Sequence, residues 1–174
     1  VLQGDGHEVT IILDDFNNAD NFTPALLGDL SSYDAVFWQA SGTNYGSRHA
    51  SPPMFANLES YVEGGGRVFV TGYDSVASPG DPQLINFLGA GSSSDVPPAP
   101  SAITDVENSL TNGIVDISGV TPLGGFSDRD SLLNLSLDTV GVVSSSGASD
   151  RYQWTLRTLG EGEIAYVSNG APTG

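Results

Sequence analysis

Residues 53–71 read PMFANLESYVEGGGRVFVT, and this stretch decides the fold class. Phe55, Leu58 and Val62 recur at the spacing of one helix face, and the three glycines that follow Glu63 are typical of a helix end. The next residues, Arg67–Thr71, form a short β-branched run that predicts a buried strand. A helix over Pro53–Glu63 that leads directly into such a strand indicates a sheet of the α/β class.

The same alternation extends to both sides of this stretch. Short apolar runs predict further buried strands, and segments with proline just inside their start predict short helices. The predicted strands are Glu8–Leu13, Ala35–Trp38 and Glu163–Val167, and the predicted helices are residues 23–30 and Asp81–Leu88. Strands that are apolar without interruption predict a parallel sheet covered on both faces, which would bury both Phe37 and Trp38.

The second half of the chain has a different pattern. Residues 90–101 (AGSSSDVPPAPS) show no apolar period and predict a surface excursion, and the chain from there to about residue 150 is irregular apart from short apolar stretches. Arg151–Leu156 alternates apolar and polar residues, which predicts a half-buried strand. We therefore expect antiparallel strands in this half, within one domain that spans residues 1–174.

Composition excludes several classes of function. The chain has 21 acidic and 5 basic residues, and its net charge of -16 repels nucleic acid and anionic membrane surfaces. No apolar run approaches the roughly 20 residues that span a bilayer. Without cysteine there is no disulfide, thiolate metal site or cysteine nucleophile. An acidic, strongly hydrated surface favours an extracellular or cell-surface bacterial protein, and a salt-rich cytoplasm is the alternative.

Four segments together resemble a known superfamily. They are Gly6-His7-Glu8-Val9, Tyr33-Asp34-Ala35-Val36, residues 58–70 (LESYVEGGGRVFV) and residues 159–170 (LGEGEIAYVSNG). This ordered set resembles the class I glutamine amidotransferase-like superfamily, and within it the trehalose-utilisation-type branch and related bacterial domains of unknown function. The resemblance implies a flavodoxin-like three-layer sandwich with a mostly parallel sheet. It also implies a first strand before Gly4 and a helix after Gly170, so we expect the chain to be a fragment of a longer protein.

The resemblance also implies where a catalytic centre would lie. Active amidotransferases carry a cysteine on the turn after the strand that matches Arg67–Thr71, but here residues 71–75 read TGYDS. No His-x-Glu follows further along the chain, and the two histidines, His7 and His49, both come early. Glutamine hydrolysis by that mechanism is therefore excluded, and His7 is interpreted as a turn residue.

Loops that follow the carboxyl ends of the strands are the usual ligand sites of α/β sheets. Here these loops are residues 14–21, 39–51 and 72–80. For each site predicted in them, the alternative is that its residues are ordinary polar loop residues that bind nothing. In the second and third loops, backbone N–H groups at Ser41 and Gly42 predict an anion-binding nest, and Tyr45 and Tyr73 a platform for a ligand. A serine hydrolase would use Ser75 as nucleophile, His49 as base and Asp74 as the supporting carboxylate.

Acidic clusters suggest a cation site. Asp14, Asp15, Asn17 and Asp20 place hard oxygen ligands close together, which is the set that calcium prefers, although the spacing of a helix-loop-helix calcium site is missing. A second acidic cluster at residues 128–130 is interpreted as surface charge that Arg129 neutralises in an ion pair.

These observations favour a non-catalytic module, structural, interacting or ligand-binding, within a larger secreted bacterial protein. Its expected partners are neighbouring domains of a longer chain or other protein chains, and no cofactor is expected apart from calcium. Two alternatives remain open: a serine-dependent hydrolase that acts at the carboxyl edge of the sheet, and a calcium-dependent adhesion or assembly module.

Overall fold

A computed structural model describes residues 8–11, 28–39, 52–72, 76, 82–96, 101–112, 129–145 and 148–168. These residues form one eight-stranded mixed sheet with two helices and a short 3-10 helix. The strands are β1 Ala35–Gln39, β2 Arg67–Gly72, β3 Ala90–Val96, β4 Ser101–Ile103, β5 Arg129–Leu135, β6 Thr139–Ser145, β7 Ala148–Leu159 and β8 Gly162–Ser168. The helices are α1 Pro52–Glu63, α2 Pro82–Phe87 and the 3-10 helix Leu30–Ser32.

The helix-to-strand unit predicted from residues 53–71 is confirmed. Helix α1 begins one residue earlier than predicted, at Pro52, and the glycines end it as expected. Gly65 has a φ of 101°, in the left-handed region that favours glycine, and its N–H donates to the carbonyl of Val62 at 2.9 Å. This turn sends the chain into β2, which lies parallel to β1 and to β8.

The sheet is mixed, and the expectation of a mostly parallel sheet is wrong for the described strands. Their order is β1-β2-β8-β7-β5-β3, and β6 pairs with both β7 and β4. Among these ladders the two that β2 makes are parallel and the other five are antiparallel. The predicted antiparallel strands of the second half are thus confirmed, and the consecutive strands β6, β7 and β8 pair with one another across short connections.

The main hydrophobic cluster of the described residues lies between the two helices and one face of the sheet. Helix α1 packs on β2 and β8, and α2 packs on β3 and on α1. The rings of Trp38, Phe55 and Phe87 contact one another in sequence, with centroids 5.7 and 5.5 Å apart. The fully buried side chains of this core include Leu58, Val62, Val68, Val70, Val76, Leu84, Leu88, Leu132, Ile164 and Tyr166.

The opposite face of the sheet is exposed at β1. Phe37 was expected in the core together with Trp38, yet it is 68% exposed while Trp38 is buried. The described helices pack on one face only, and neighbouring residues of a strand point to opposite faces, so the same strand carries one buried and one exposed aromatic ring. The expectation that both rings are buried is therefore wrong.

Two predictions near the N-terminus also differ from the structure. Residues 8–11 of the predicted strand Glu8–Leu13 are not in a strand, and Ile11 is 71% exposed. In the predicted helix 23–30, Gly28 and Asp29 are not helical, and helical structure begins only at Leu30, where the Asp29 carboxylate accepts a hydrogen bond from the N–H of Ser31. That bond lowers the pKa of Asp29. The remaining residues of both segments lie outside the described part of the chain.

The predicted surface excursion at residues 90–101 is wrong for residues 90–96 and for Ser101, and residues 97–100 lie outside the described part of the chain. Residues 90–96 form β3, which pairs with β5 along its length, and Ser101 begins β4. In the described sheet β3 stands at the end of the strand order, where backbone hydrogen bonds on one side are enough to hold it. Glycine and serine are tolerated in such a strand because its side chains contribute little to the hydrophobic core.

A polar cluster joins the β5–β6 turn to the end of α2. The guanidinium of Arg157 donates to Asp138 at 3.0 Å and to the carbonyl of Phe87 at 2.8 Å. The hydroxyl of Ser136 lies within hydrogen-bond distance of both Asp138 and the carbonyl of Gly89, and its single proton is donated to one or the other. Burial works against ionisation of Asp138, but the hydrogen bonds from Ser136 and Arg157 and the positive charge of Arg157 outweigh it, so the pKa of Asp138 is lowered.

Within the described residues, no helix combines the length and the apolar character that a membrane span requires.

Candidate functional site

The carboxyl ends of the parallel strands meet at one edge of the sheet. Gly72, the last residue of β2, pairs with Ser168, the last residue of β8, and β1 ends beside them at Gln39. Open α/β sheets bind ligands beyond this edge, at a point where the strand order changes. It is therefore the first place to search for a site.

The strand order changes at the end of β8. Residues 154–159 of β7 pair with β8. Nearer its own beginning, β7 pairs with β5 instead, through Tyr152 and Leu132. Strand β5 thus starts where β8 stops, and the N–H of Asp130 donates to the hydroxyl of Ser168 at 3.2 Å. The parallel half of the sheet meets its antiparallel half at this junction.

Asp130 is the central residue of the junction. Its side chain is only 2% exposed, and its Oδ2 accepts a hydrogen bond from the backbone N–H of Val76 at 3.0 Å. A buried carboxylate is costly unless it is hydrogen-bonded, and bonds to a charged acceptor are stronger than neutral ones. Asp130 therefore ties the chain just after β2 to the beginning of β5.

A second group of buried polar side chains lies on the neighbouring strands. Gln153 of β7 donates from Nε2 to the hydroxyl of Ser145 at 2.9 Å, and its Oε1 accepts a hydrogen bond from the hydroxyl of Ser101. All three residues are buried. Gln153 precedes Trp154, the partner of Val167, so it stands beside the end of β8. Hydrogen bonds among β4, β6 and β7 thus extend the polar interior from Asp130.

Two further hydroxyls belong to this region. Those of Ser131 and Thr155 are fully buried and have no hydrogen-bond partner within the described part of the chain. A buried hydroxyl without a partner costs about 1–3 kcal/mol.

The chemistry of this cluster is limited to carboxylate, amide and hydroxyl groups. These groups accept and donate hydrogen bonds, and the carboxylate of Asp130 is already bonded to a backbone N–H. Among the described residues at this edge, no imidazole, amine or thiol accompanies it. The described groups can hold a loop or a polar ligand in place, and among them there is no nucleophile with an adjacent base.

The site residues predicted from the sequence lie outside the described residues. They are Ser41, Gly42, Tyr45, His49, Tyr73, Asp74 and Ser75 of the second and third loops, and Asp14, Asp15, Asn17 and Asp20 of the proposed calcium site. Across the described residues no group of three or more acidic, histidine or cysteine side chains is placed to hold a metal ion. The ligand and calcium sites thus stay predictions.

The interpretation of residues 128–130 as surface charge is wrong for Asp130. Asp130 is buried, and its carboxylate accepts a hydrogen bond from the N–H of Val76 in the interior. The sequence contains one signal of this: Asp130 directly precedes Ser131-Leu132-Leu133, so an acidic residue opens an apolar run that is buried as a strand. Gln153 and Ser168 were missed because each lies within or at the end of a predicted strand rather than in a loop.

The described residues define a fold class, an α/β domain with a large mixed sheet and few helices. Neither family models nor curated proteins match this chain.

Solved structures do match. The fold is similar to the cytoplasmic protein STM1381 of Salmonella typhimurium LT2, with a TM-score of 0.54 at 14% identity over 83% of this chain and 64% of that one. It is also similar to a ThuA-like protein of Bacteroides uniformis, with a TM-score of 0.50 at 14% identity over 81% of this chain and 61% of that one.

A third structure, the cytoplasmic protein STM3548 of Salmonella typhimurium, has a TM-score of 0.48 at 15% identity over 79% of this chain and 61% of that one. The chain spans about three fifths of the length of these three structures. At such low identity the likeness shows the fold alone: a ThuA-like fold, consistent with the trehalose-utilisation-type resemblance seen in the sequence.

Proposed function

We propose that this chain is a non-catalytic, amidotransferase-like module of a larger secreted bacterial protein, and that it binds a ligand or a partner chain instead of converting a substrate. The observation that carries the proposal is Asp130 at the carboxyl edge of β2 and β8. The buried carboxylate is bonded to the N–H of Val76, so it acts on the protein's own backbone.

The sequence at the same edge supports this proposal. Strand β2 ends at Gly72, and the turn that carries a cysteine in active amidotransferases reads Gly72-Tyr73-Asp74-Ser75 here. The whole chain contains no cysteine. A fold of this class that has lost its thiol and uses its buried carboxylate structurally is better suited to binding than to covalent catalysis.

The proposal also includes a three-layer architecture and secretion from the cell. The three-layer sandwich that the resemblance implies needs a second layer on the sheet face that α1 and α2 leave uncovered. Secretion rests on the acidic, cysteine-free composition. The description as cytoplasmic belongs to the two similar Salmonella typhimurium proteins. Immunoblots of cell fractions from the native bacterium test the location, and recovery of the protein in the cytosol alone would contradict it.

Absence of catalysis is tested with panels of ester, amide and glycoside substrates. We expect no turnover above that of a heat-denatured sample. Ser75→Ala and His49→Ala remove the alternative nucleophile and base, and Ser78→Ala, in the same loop, is the matched control. Turnover that the first two variants abolish and the control retains would establish the hydrolase and refute the proposal.

Calcium binding is tested by titration calorimetry with the chelated protein. Asp14→Asn combined with Asp15→Asn is the variant, and Asp116→Asn is a matched control elsewhere in the chain. A metal that binds the folded state raises the melting temperature. Heat of binding and a raised melting temperature that only the double variant loses would favour the calcium-dependent adhesion or assembly module over the module proposed here.

A further inference from the structure

Arg151 of β7 reaches across the neighbouring strand β5 to β3. Its guanidinium Nη1 donates to the hydroxyl of Ser94 on β3 at 3.3 Å, and β5 lies between these two strands. Neighbouring strands are about 4.8 Å apart, so β7 and β3 are about 10 Å apart. Ser131 of β5 pairs directly with Ser94, and paired residues point to the same face. The side chain of Arg151 therefore crosses β5 next to the hydroxyls of Ser94 and Ser131.

The charge of Arg151 has no acidic partner within the part of the chain that the structure describes. The ion pairs that occur there involve other arginines. Asp95 and Asp130 adjoin the two serines in the sequence, but they pair with each other, and alternation along a strand points their side chains to the opposite face. In a chain with 21 acidic residues, this half-buried guanidinium therefore keeps its positive charge for another anion.

Ser131 is an independent indication of a ligand. The residue is fully buried, and its hydroxyl has no hydrogen-bond partner among the residues described. Buried polar groups are nearly always hydrogen-bonded, so this hydroxyl needs an acceptor. The neighbouring guanidinium of Arg151 has donors only and cannot accept a hydrogen bond. A negatively charged acceptor placed between Ser131 and Arg151 satisfies both groups at once.

The donors and the overall charge indicate which anion fits. A guanidinium is a planar fork that binds both oxygens of a carboxylate or a phosphate. The net charge of -16 works against anions that carry more than one charge, which favours a carboxylate over a phosphate. The Ser131 hydroxyl is closed off from solvent, so the anion reaches it when the Arg151 side chain turns aside. One hydrogen bond at 3.3 Å holds that long side chain on Ser94.

We propose that Arg151, Ser94 and Ser131 bind the carboxylate group of a small organic acid. The guanidinium donates to both carboxylate oxygens, and the Ser131 hydroxyl donates to one of them. Strands β3, β5 and β7 build this site, whereas the nucleophile of the alternative hydrolase was predicted in a loop. Substrate turnover would therefore refute the proposed function and leave this site intact, and failure of carboxylate binding here would leave the proposed function intact.

Acetate is the probe for the carboxylate group. Nitrogen–proton NMR spectra follow the backbone amides of Ser94 and Ser131 and the Nε–H of Arg151 at neutral pH. Sodium acetate replaces sodium chloride at a constant ionic strength of about 0.15 M, so general screening does not change during the titration. We expect saturable shifts of all three signals, with a dissociation constant in the millimolar range. Sodium phosphate, titrated in the same way, should bind more weakly than acetate.

Protein variants test the residues of the site. Arg151→Gln keeps hydrogen-bond donors but loses the charge, and it should weaken acetate binding at least about tenfold. Ser131→Ala removes one neutral donor and should weaken binding about threefold. Arg67→Gln is the matched control and should bind as the native protein does, because Arg67 is an exposed strand arginine that pairs with Glu163. Circular dichroism and melting temperature verify that all three variants fold.

Four outcomes would overturn the proposal. The first is the lack of a saturable shift when acetate replaces chloride. The second is equal weakening by Arg67→Gln and Arg151→Gln, because acetate would then respond only to the general charge of the protein. The third is unchanged binding by Ser131→Ala, which would remove the buried hydroxyl from the site. The fourth is tighter binding of phosphate than of acetate, which would contradict the choice of a carboxylate.

Discussion

Replacing Asp130 by alanine is the most direct perturbation of the polar junction. The change removes the acceptor of the Val76 N–H at 3.0 Å, and both residues are buried, so water does not readily replace the lost bond. Hydrogen bonds to charged groups contribute about 1.5–3 kcal/mol, and a buried donor left unpaired costs a similar amount. We therefore expect Asp130→Ala to lower the free energy of unfolding by about 2–3 kcal/mol.

The same cost is expected in thermal unfolding. For a chain of this size about 1 kcal/mol corresponds to about 2–4 °C, so the melting temperature should fall by about 4–12 °C. Asp130→Asn keeps an oxygen that can accept the bond but loses the charge. Its melting temperature should therefore lie between those of Asp130→Ala and the native protein. Asp150→Ala, an exposed position on β7, is the matched control and should stay within about 0.5 kcal/mol.

Urea unfolding measures the free energies, and amide hydrogen exchange measures the bond itself. The Val76 amide should exchange faster in Asp130→Ala, beyond the change in global stability. If Asp130→Ala is as stable as Asp150→Ala and the Val76 amide keeps its protection, then the carboxylate does not hold this part of the chain. The reasoning behind the site would then be refuted.

Three more predictions concern the framework. Gly141→Ala should destabilise the fold by about 1–3 kcal/mol, because a Cβ there would lie 2.0 Å from the Tyr152 ring. Leu58→Ala should cost about 2–5 kcal/mol in urea unfolding, since Leu58 is 1% exposed in the core, whereas Leu137→Ala should be neutral because Leu137 is fully exposed. The pKa of Asp138 is lowered, so its stabilising effect is complete above the unfolded value of about 3.9 and is lost as pH falls through the lower folded value.

Each of these predictions has its own control. Gly64→Ala is the control for Gly141→Ala, because a Cβ at Gly64 would have no neighbour closer than 3.5 Å. For Asp138, urea unfolding between about pH 2 and pH 5 is compared with Asp138→Asn, which should lose part of the acid sensitivity. Equal pH profiles of the two proteins, or equal stability of the two alanine variants at glycine positions, would contradict the respective prediction.

Patterns within a few neighbouring residues were sufficient for much of the framework. The spacing of Phe55, Leu58 and Val62 predicted α1, and apolar runs predicted β1, β2 and β8, because α1 buries one helix stripe and each strand buries apolar side chains on the face that the helices cover. Strand β3 was missed because a strand held by backbone pairing with β5 needs no apolar side chains, so glycine and serine concealed it.

Patterns of neighbouring residues could not predict the candidate site. Asp130 and Val76 are 54 positions apart in the chain, and their hydrogen bond exists only because β5 starts where β8 ends. Exposure of Phe37 was equally hidden, since a strand's sequence does not tell how many faces of the sheet are covered.

The amino-acid sequence alone determined the charge, the missing thiol and the helix-to-strand units, because these depend on composition and on residues close together in the chain. Tertiary structure alone decided the mixed strand order, the burial of Asp130 and the exposure of Phe37. Each of these depends on which distant segments the sheet brings together, and backbone pairing between strands leaves little trace in the side-chain pattern.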